Sequence, residues 1–111
     1  MKLYLKPNCS TCRNAKKFLL ASGAQFEEID LNRGLTSSEI DALIGDRDYK
    51  AFLNTRNELY RERSMKENPP PRAEAIRLMS AHPNLIRRPI LTEGSKIALG
   101  FDADEFDRVL T

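Results

Sequence analysis

Tyr4-Leu5-Lys6-Pro7-Asn8-Cys9-Ser10-Thr11-Cys12-Arg13-Asn14-Ala15-Lys16-Lys17-Phe18-Leu19 is the stretch that decides the fold, because it runs from an apolar strand through a Cys-x-x-Cys turn into a helix. Pro7-Asn8 breaks the strand, and Ala15, Phe18 and Leu19 recur at helical spacing. Cys9 therefore stands just ahead of the first helical turn. There, unpaired backbone N–H groups and the positive end of the helix dipole favour a thiolate over a thiol. A lowered thiol pKa is expected, which makes Cys9 a candidate nucleophile. Arg13, one turn further on, adds positive charge if its side chain folds back toward the sulfur.

Residues three apart at the start of a helix can bring their sulfurs within bridging reach, so Cys12 is the expected resolving thiol. Two plainer readings stand beside this one. A structural zinc site needs a full ligand set, and the chain offers only these cysteines and a distant His82, which precedes Pro83. The other is an inert pair of cysteines in a helix cap, since Cys-x-x-Cys alone is a moderate signal.

With 111 residues and 41% hydrophobic content, the chain fits a single domain over residues 1–111 with apolar side chains enough for one core. Both cysteines lie in one short motif, no apolar run approaches membrane-spanning length, and Met1-Lys2-Leu3-Tyr4 leads straight into a strand pattern. A reducing cytoplasm is the expected location. The net charge of +2, dispersed among 31% charged residues, excludes the footprint of a direct nucleic-acid binder.

Outward from the motif, residues 2–5 read as a strand and helix one runs from about Thr11 to a stop at Gly23. Phe26-Glu27-Glu28-Ile29-Asp30-Leu31 reads as a second strand. The resulting βαβ unit should cross over right-handedly and leave its strands parallel. Cys-x-x-Cys beside such a unit is a thioredoxin-like signature.

Thr36-Ser37-Ser38-Glu39 is a capping box ahead of Ile40, Leu43 and Ile44, with Gly45 as the stop. Residues 48–64 look helical in pieces, with Tyr49, Phe52, Leu53, Leu59 and Tyr60 inward. Pro69-Pro70-Pro71 leads into a helix that carries Ile76 and Met79 and ends near Ala81. The stretch from about 36 to 82 is thus an all-helical insertion. Pro89-Ile90-Leu91-Thr92, the turn Glu93-Gly94-Ser95 and Lys96-Ile97-Ala98-Leu99 form a β-hairpin, and Asp102-Ala103-Asp104-Glu105 caps a last helix with Phe106, Val109 and Leu110. The fold class is α/β: a thioredoxin-like fold with a four-stranded mixed sheet and a helical insertion between β2 and β3.

Three segments, Pro7-Asn8-Cys9-Ser10-Thr11-Cys12-Arg13, Phe52-Leu53-Asn54-Thr55-Arg56 and Ile86-Arg87-Arg88-Pro89-Ile90-Leu91, closed by Leu99-Gly100-Phe101-Asp102, together resemble the arsenate reductase and Spx-like family of thioredoxin-fold proteins. The resemblance runs nearly end to end. It implies that Cys9 is the nucleophile, that Arg88-Pro89 is the Arg-Pro element beside the active site, and that this proline bond is cis. Arsenate-reducing members grip the oxyanion with several arginines. Here Arg88 fits one position, Arg56 is near another but offset, and Gly100 stands where a later arginine is wanted. Glutaredoxin-dependent arsenate reductases commonly work with one cysteine in this loop, whereas Spx-like regulators carry a Cys-x-x-Cys switch.

Two functions of different classes follow. The first is an enzyme: a thiol-disulfide oxidoreductase or reductase in which Cys9 attacks an oxidised sulfur or an oxyanion, and Cys12 or an external thiol such as glutathione resolves the intermediate. Its partners are a small thiol or oxyanion substrate and a glutaredoxin- or thioredoxin-type reductant; no bound cofactor, metal or membrane is expected. The second is a redox-switched binding module, which the Spx resemblance would direct to RNA polymerase. The candidate site residues are Cys9, Cys12 and Arg88, with Arg13, Arg56 and Pro89 for substrate binding. Each arginine has a plainer alternative: Arg56 can pair with Glu58 or Glu62 on a helix face, and Arg13 can point to solvent.

Overall fold

A computed structural model describes every residue from Met1 to Thr111. Its backbone divides into two units, residues 1–30 with 88–111, and residues 31–87.

The first unit holds the sheet. Strand β1 (Lys2–Leu5) pairs parallel with β2 (Glu27–Asp30) and antiparallel with β3 (Ile90–Glu93), which pairs antiparallel with β4 (Lys96–Leu99) in the order β2-β1-β3-β4. The parallel pair follows from the crossover through α1 (Ser10–Ala21). That helix ends where Gly23 takes φ +72, a conformation glycine adopts without a Cβ penalty, and the N–H groups of Gly23 and Ala24 close on the carbonyls of Leu20 and Leu19. Helix α5 (Ala103–Leu110) starts at Asp102, whose carboxylate accepts from the N–H groups of Asp104 and Glu105.

Alternation along β1 sends Leu3 and Leu5 to the face shared with α1 and α5. They pack with Cys12, Ala15, Leu19, Leu91, Ala98, Phe106 and Val109. Phe18, Phe101 and Phe106 meet edge to face with ring centroids 5.0 to 6.0 Å apart, an arrangement the ring quadrupoles favour.

The second unit lies wholly between β2 and β3 in the chain and contains no named strand. Helix α2 (Ser37–Ile44) opens on the capping box, with the Thr36 hydroxyl accepting from Glu39 N–H and the Glu39 carboxylate from Thr36 N–H. Short α3 (Glu58–Glu62) starts at Asn57, and α4 (Arg72–Ala81) follows the proline run. Buried Ile40 and Ile44 of α2 and Ala75, Ile76, Leu78 and Met79 of α4 supply much of the interior, together with Phe52, Leu53, Met65, Leu85 and Ile86. One antiparallel bridge, Leu53 with Ile86, ties residues 52–54 to 85–87. Beside it Asn54 N–H donates to Leu85 O at 2.7 Å and Arg87 N–H to Phe52 O at 2.8 Å. No helix is long and apolar enough to cross a membrane.

Candidate active site

The Pro7-Asn8 turn is closed by Cys9 N–H donating to Lys6 O at 3.0 Å, and Cys9 is the N-cap of α1 with φ −95 and ψ 124. Its carbonyl accepts the first helical bond, from Arg13 N–H, also at 3.0 Å. The thiol completes no capping hydrogen bond as such, but the first-turn donors are directed at the sulfur and no acidic residue stands in that turn. Partial burial raises the Cys9 pKa. The backbone N–H of Cys12, the Cys12 side chain, the backbone N–H of Thr11 and the positive charge of Arg88 together outweigh it, so Cys9 falls below its ordinary 9.0.

Cys12 is tuned the other way. It is 0% exposed within the core, and burial pushes its thiol up to about 11, with the adjacent Cys9 adding to the rise. The backbone N–H of Lys6 and the charge of Arg88 act against this increase without reversing it. Both cysteines are free thiols. The partly exposed sulfur is therefore the acidic one and the buried sulfur the basic one.

Arg88 and Pro89 precede β3, their peptide bond is cis, and Pro89 is buried. Arg88 is half-buried and its charge reaches both sulfurs, so the structure brings Cys9, Cys12 and Arg88 together. Arg13 is exposed and is not among the groups that move either thiol; a long cationic side chain on an open helical face keeps its head in water. Arg56 lies exposed in the helical unit, where its N–H donates to the Asn54 side chain at 3.1 Å. Gly100 has φ +79 and donates its N–H to Pro89 O at 2.8 Å, so this position serves the turn after β4 and an arginine there would be strained. No grouping of three or more His, Cys, Asp and Glu forms a metal cage. The sequence reading missed the Lys6 main-chain donor to Cys12, which no side-chain pattern signals.

The ArsC family profile matches residues 4–109. The protein YusI of Bacillus subtilis (strain 168) is 35% identical over 112 residues, covering 96% of this chain and 95% of its own. The global transcriptional regulator Spx of Enterococcus faecalis (strain ATCC 700802 / V583) is 26% identical over 113 residues, covering 99% of this chain and 86% of its own. Among solved structures, a possible arsenate reductase from Streptococcus mutans UA159 superposes with a TM-score of 0.78 at 29% identity, covering 96% of each chain. A Staphylococcus aureus COL protein solved by NMR superposes with a TM-score of 0.84 at 32% identity, covering 97% of this chain and 96% of the other. With the βαβ and ββα elements in place around a Cys-x-x-Cys helix cap, and a profile match that omits only the first and last few residues, this chain belongs to the ArsC family.

Proposed function

We propose that the chain is a thiol-dependent reductase in which Cys9 attacks and Cys12 resolves. The observation that carries this reading is the opposed tuning of the two sulfurs: Cys9 lowered and partly exposed, Cys12 raised to about 11 and buried. With a disulfide substrate, the Cys9 thiolate forms a bond to one sulfur, the substrate S–S bond breaks, and the leaving thiolate takes a proton from solvent. Cys12 then loses its proton and attacks the Cys9 sulfur, the second substrate thiolate leaves, and the Cys9–Cys12 disulfide forms. A pair of external thiols, such as glutathione or a dithiol protein of the glutaredoxin or thioredoxin type, returns both cysteines to the reduced state.

Arg88 steadies anionic sulfur during these steps, Pro89 shapes the wall beside it, and Arg13 and Arg56 are candidate substrate contacts. Arsenate is a poor substrate in this reading. A tetrahedral dianion asks for several charge-assisted donors, and Arg88 is the one arginine whose charge acts on the thiols.

A redox-switched regulator is the second reading, and the likeness to Spx over 99% of this chain favours it. Exchange with a small aromatic disulfide, followed by intact mass and then by glutathione addition, separates the two. A reductase gives a mixed disulfide on Cys9 in the Cys12→Ser variant, loses one pair of hydrogens in the wild type, and turns over when glutathione is supplied. Labelling of Cys12 ahead of Cys9 would sink the assignment of roles. Disulfide formation without turnover would leave the switch.

A further inference from the structure

Lys6 stands between β1 and the cysteine turn, and each of its main-chain groups meets a cysteine. Its C=O accepts Cys9 N–H at 3.0 Å, which closes the Pro7-Asn8 turn, and its N–H donates to the Cys12 sulfur. Pro7 fixes this arrangement, because the residue before a proline is held extended. The pairing of β1 with β3 reaches Tyr4 with Ile90, and Pro89, which has no N–H to donate, ends it. Lys6 and Arg88 lie two residues beyond that last pair on their strands, and both act on Cys12. The Cys12 side chain is enclosed among Leu3, Leu5, Ala15, Leu19 and Leu91. A thiolate at such a place draws its stabilisation from fixed protein dipoles and charges rather than from solvent.

We propose that the Lys6 N–H is the main-chain group that readies Cys12 for attack, holding the buried sulfur as a thiolate while it resolves the Cys9 adduct. This rests on the reading of Cys12 as the resolving thiol and names the group that generates its reactive form. A hydrogen bond to an ionised acceptor is about twice as strong as one to a neutral acceptor, so the N–H favours the attacking thiolate over the resting thiol. In the mixed disulfide the Cys9 sulfur is uncharged, which leaves the Lys6 N–H and Arg88 to oppose the effect of burial. The step balances: Cys12 gives its proton to solvent, its thiolate forms the bond to the Cys9 sulfur, the bond from Cys9 to the substrate sulfur breaks, and the substrate leaves as a thiolate. Because the C=O of the same residue holds Cys9 N–H, the donor to the resolving sulfur and the loop of the attacked sulfur are fixed by one residue.

The chain can be assembled at Cys9 with no change of sequence, by ligating a thioester peptide of residues 1–8 to residues 9–111. An ester in place of the Leu5–Lys6 amide removes the one N–H and keeps every side chain, and an all-amide chain made the same way is the control. A limiting small aromatic disulfide at pH 7 releases one aromatic thiolate as Cys9 is captured and a second as Cys12 attacks, so one trace reads both steps. The ester should leave the first phase within about twofold and slow the second by about threefold to tenfold, since the lost thiolate is offset in part by its higher nucleophilicity. A second measurement needs no synthesis: in wild type capped at Cys9 with iodoacetamide, alkaline titration should move the Lys6 amide nitrogen and Cys12 Cβ resonances with one midpoint. An unchanged second phase in a folded ester chain, equal slowing of both phases, or a Lys6 nitrogen that stays flat while Cys12 titrates each overturns the inference and leaves Cys12 as the resolving thiol. An all-amide control with no second phase overturns that role itself, and the inference with it.

Discussion

Cys12→Ala removes the side chain that donates to the Cys9 sulfur and leaves the main-chain N–H groups of Thr11 and Cys12 in place. A hydrogen bond to a charged acceptor contributes about 1.5 to 3 kcal/mol, and because Cys9 is partly exposed the lower end applies, roughly tenfold in the proton equilibrium. Below the titration midpoint of Cys9 the thiolate fraction should fall by about that factor. A more basic thiolate is also a better nucleophile, and a Brønsted slope of about 0.4 to 0.5 returns roughly threefold of the loss. Alkylation of Cys9 by iodoacetamide at pH values below its midpoint should therefore slow by about threefold in the variant, while its plateau at alkaline pH should rise by about threefold, so that the two pH–rate profiles cross. The effect should persist in strong salt because it is a short-range bond, whereas the coulombic influence of Arg88 should fade as screening increases. Peptide mass spectrometry assigns the label, and thermal unfolding confirms equal folded fractions. Superimposed profiles, or a midpoint that moves down, would refute the account of Cys9 activation.

Alkaline stability should report Cys12. Its folded pKa of about 11 lies above the ordinary 9.0, so its contribution is fully present below pH 9 and is lost as pH rises toward 11, by about 3 kcal/mol at most. Anaerobic urea unfolding of wild type minus Cys12→Ala across that window isolates the loss from other groups, and a flat difference would contradict it. Gly100→Ala should destabilise by about 1 kcal/mol or more, because φ +79 is strained for any residue with a Cβ. It should leave the Cys9 alkylation rate within a factor of about two, since the glycine serves the turn; a larger change would place this position in the chemistry.

Much of the architecture was legible because short-range physics decided it. The Pro7-Asn8 break, the Thr36-to-Glu39 capping box, the Gly94-Ser95 turn and the Asp102 cap each act within a few residues. The structure places α1, α2, the β3–β4 hairpin and α5 where those signals stand. Boundaries shifted slightly: α1 begins at Ser10, one residue before the expected start, and β2 is trimmed to Glu27–Asp30. The burial of Met65, after Ser64 turns the chain at φ 50, was not legible, since an isolated methionine among charged residues has no periodic partner. At the site, Arg88 was singled out through the Arg-Pro element of the family resemblance and not through proximity to the motif, and its charge acts on both sulfurs, whereas Arg13, adjacent to the motif, is exposed. Sequence proximity is a poor guide here because β3 returns to pair with β1 and carries Arg88 back beside the loop that follows β1.

The opposed tuning also orders the chemistry. In the proposed mechanism an external sulfur reaches Cys9 but not Cys12, which is 0% exposed, so intermolecular exchange would be confined to one atom. Attack by Cys12 needs its thiolate, and burial, which persists in the mixed disulfide, disfavours that form, although the part of the rise caused by Cys9 ends once the Cys9 sulfur is in a disulfide. The mixed disulfide on Cys9 should thus persist long enough for a small external thiol to compete with Cys12 for its resolution. A buried second cysteine then does not exclude a glutathione-type reductant; it sets a slow internal route against a concentration-dependent external one. The balance between reductase turnover and a trapped internal disulfide would follow the supply of thiol, and the same pair of residues can satisfy the chemistry of an enzyme or of a switch without any change in the fold.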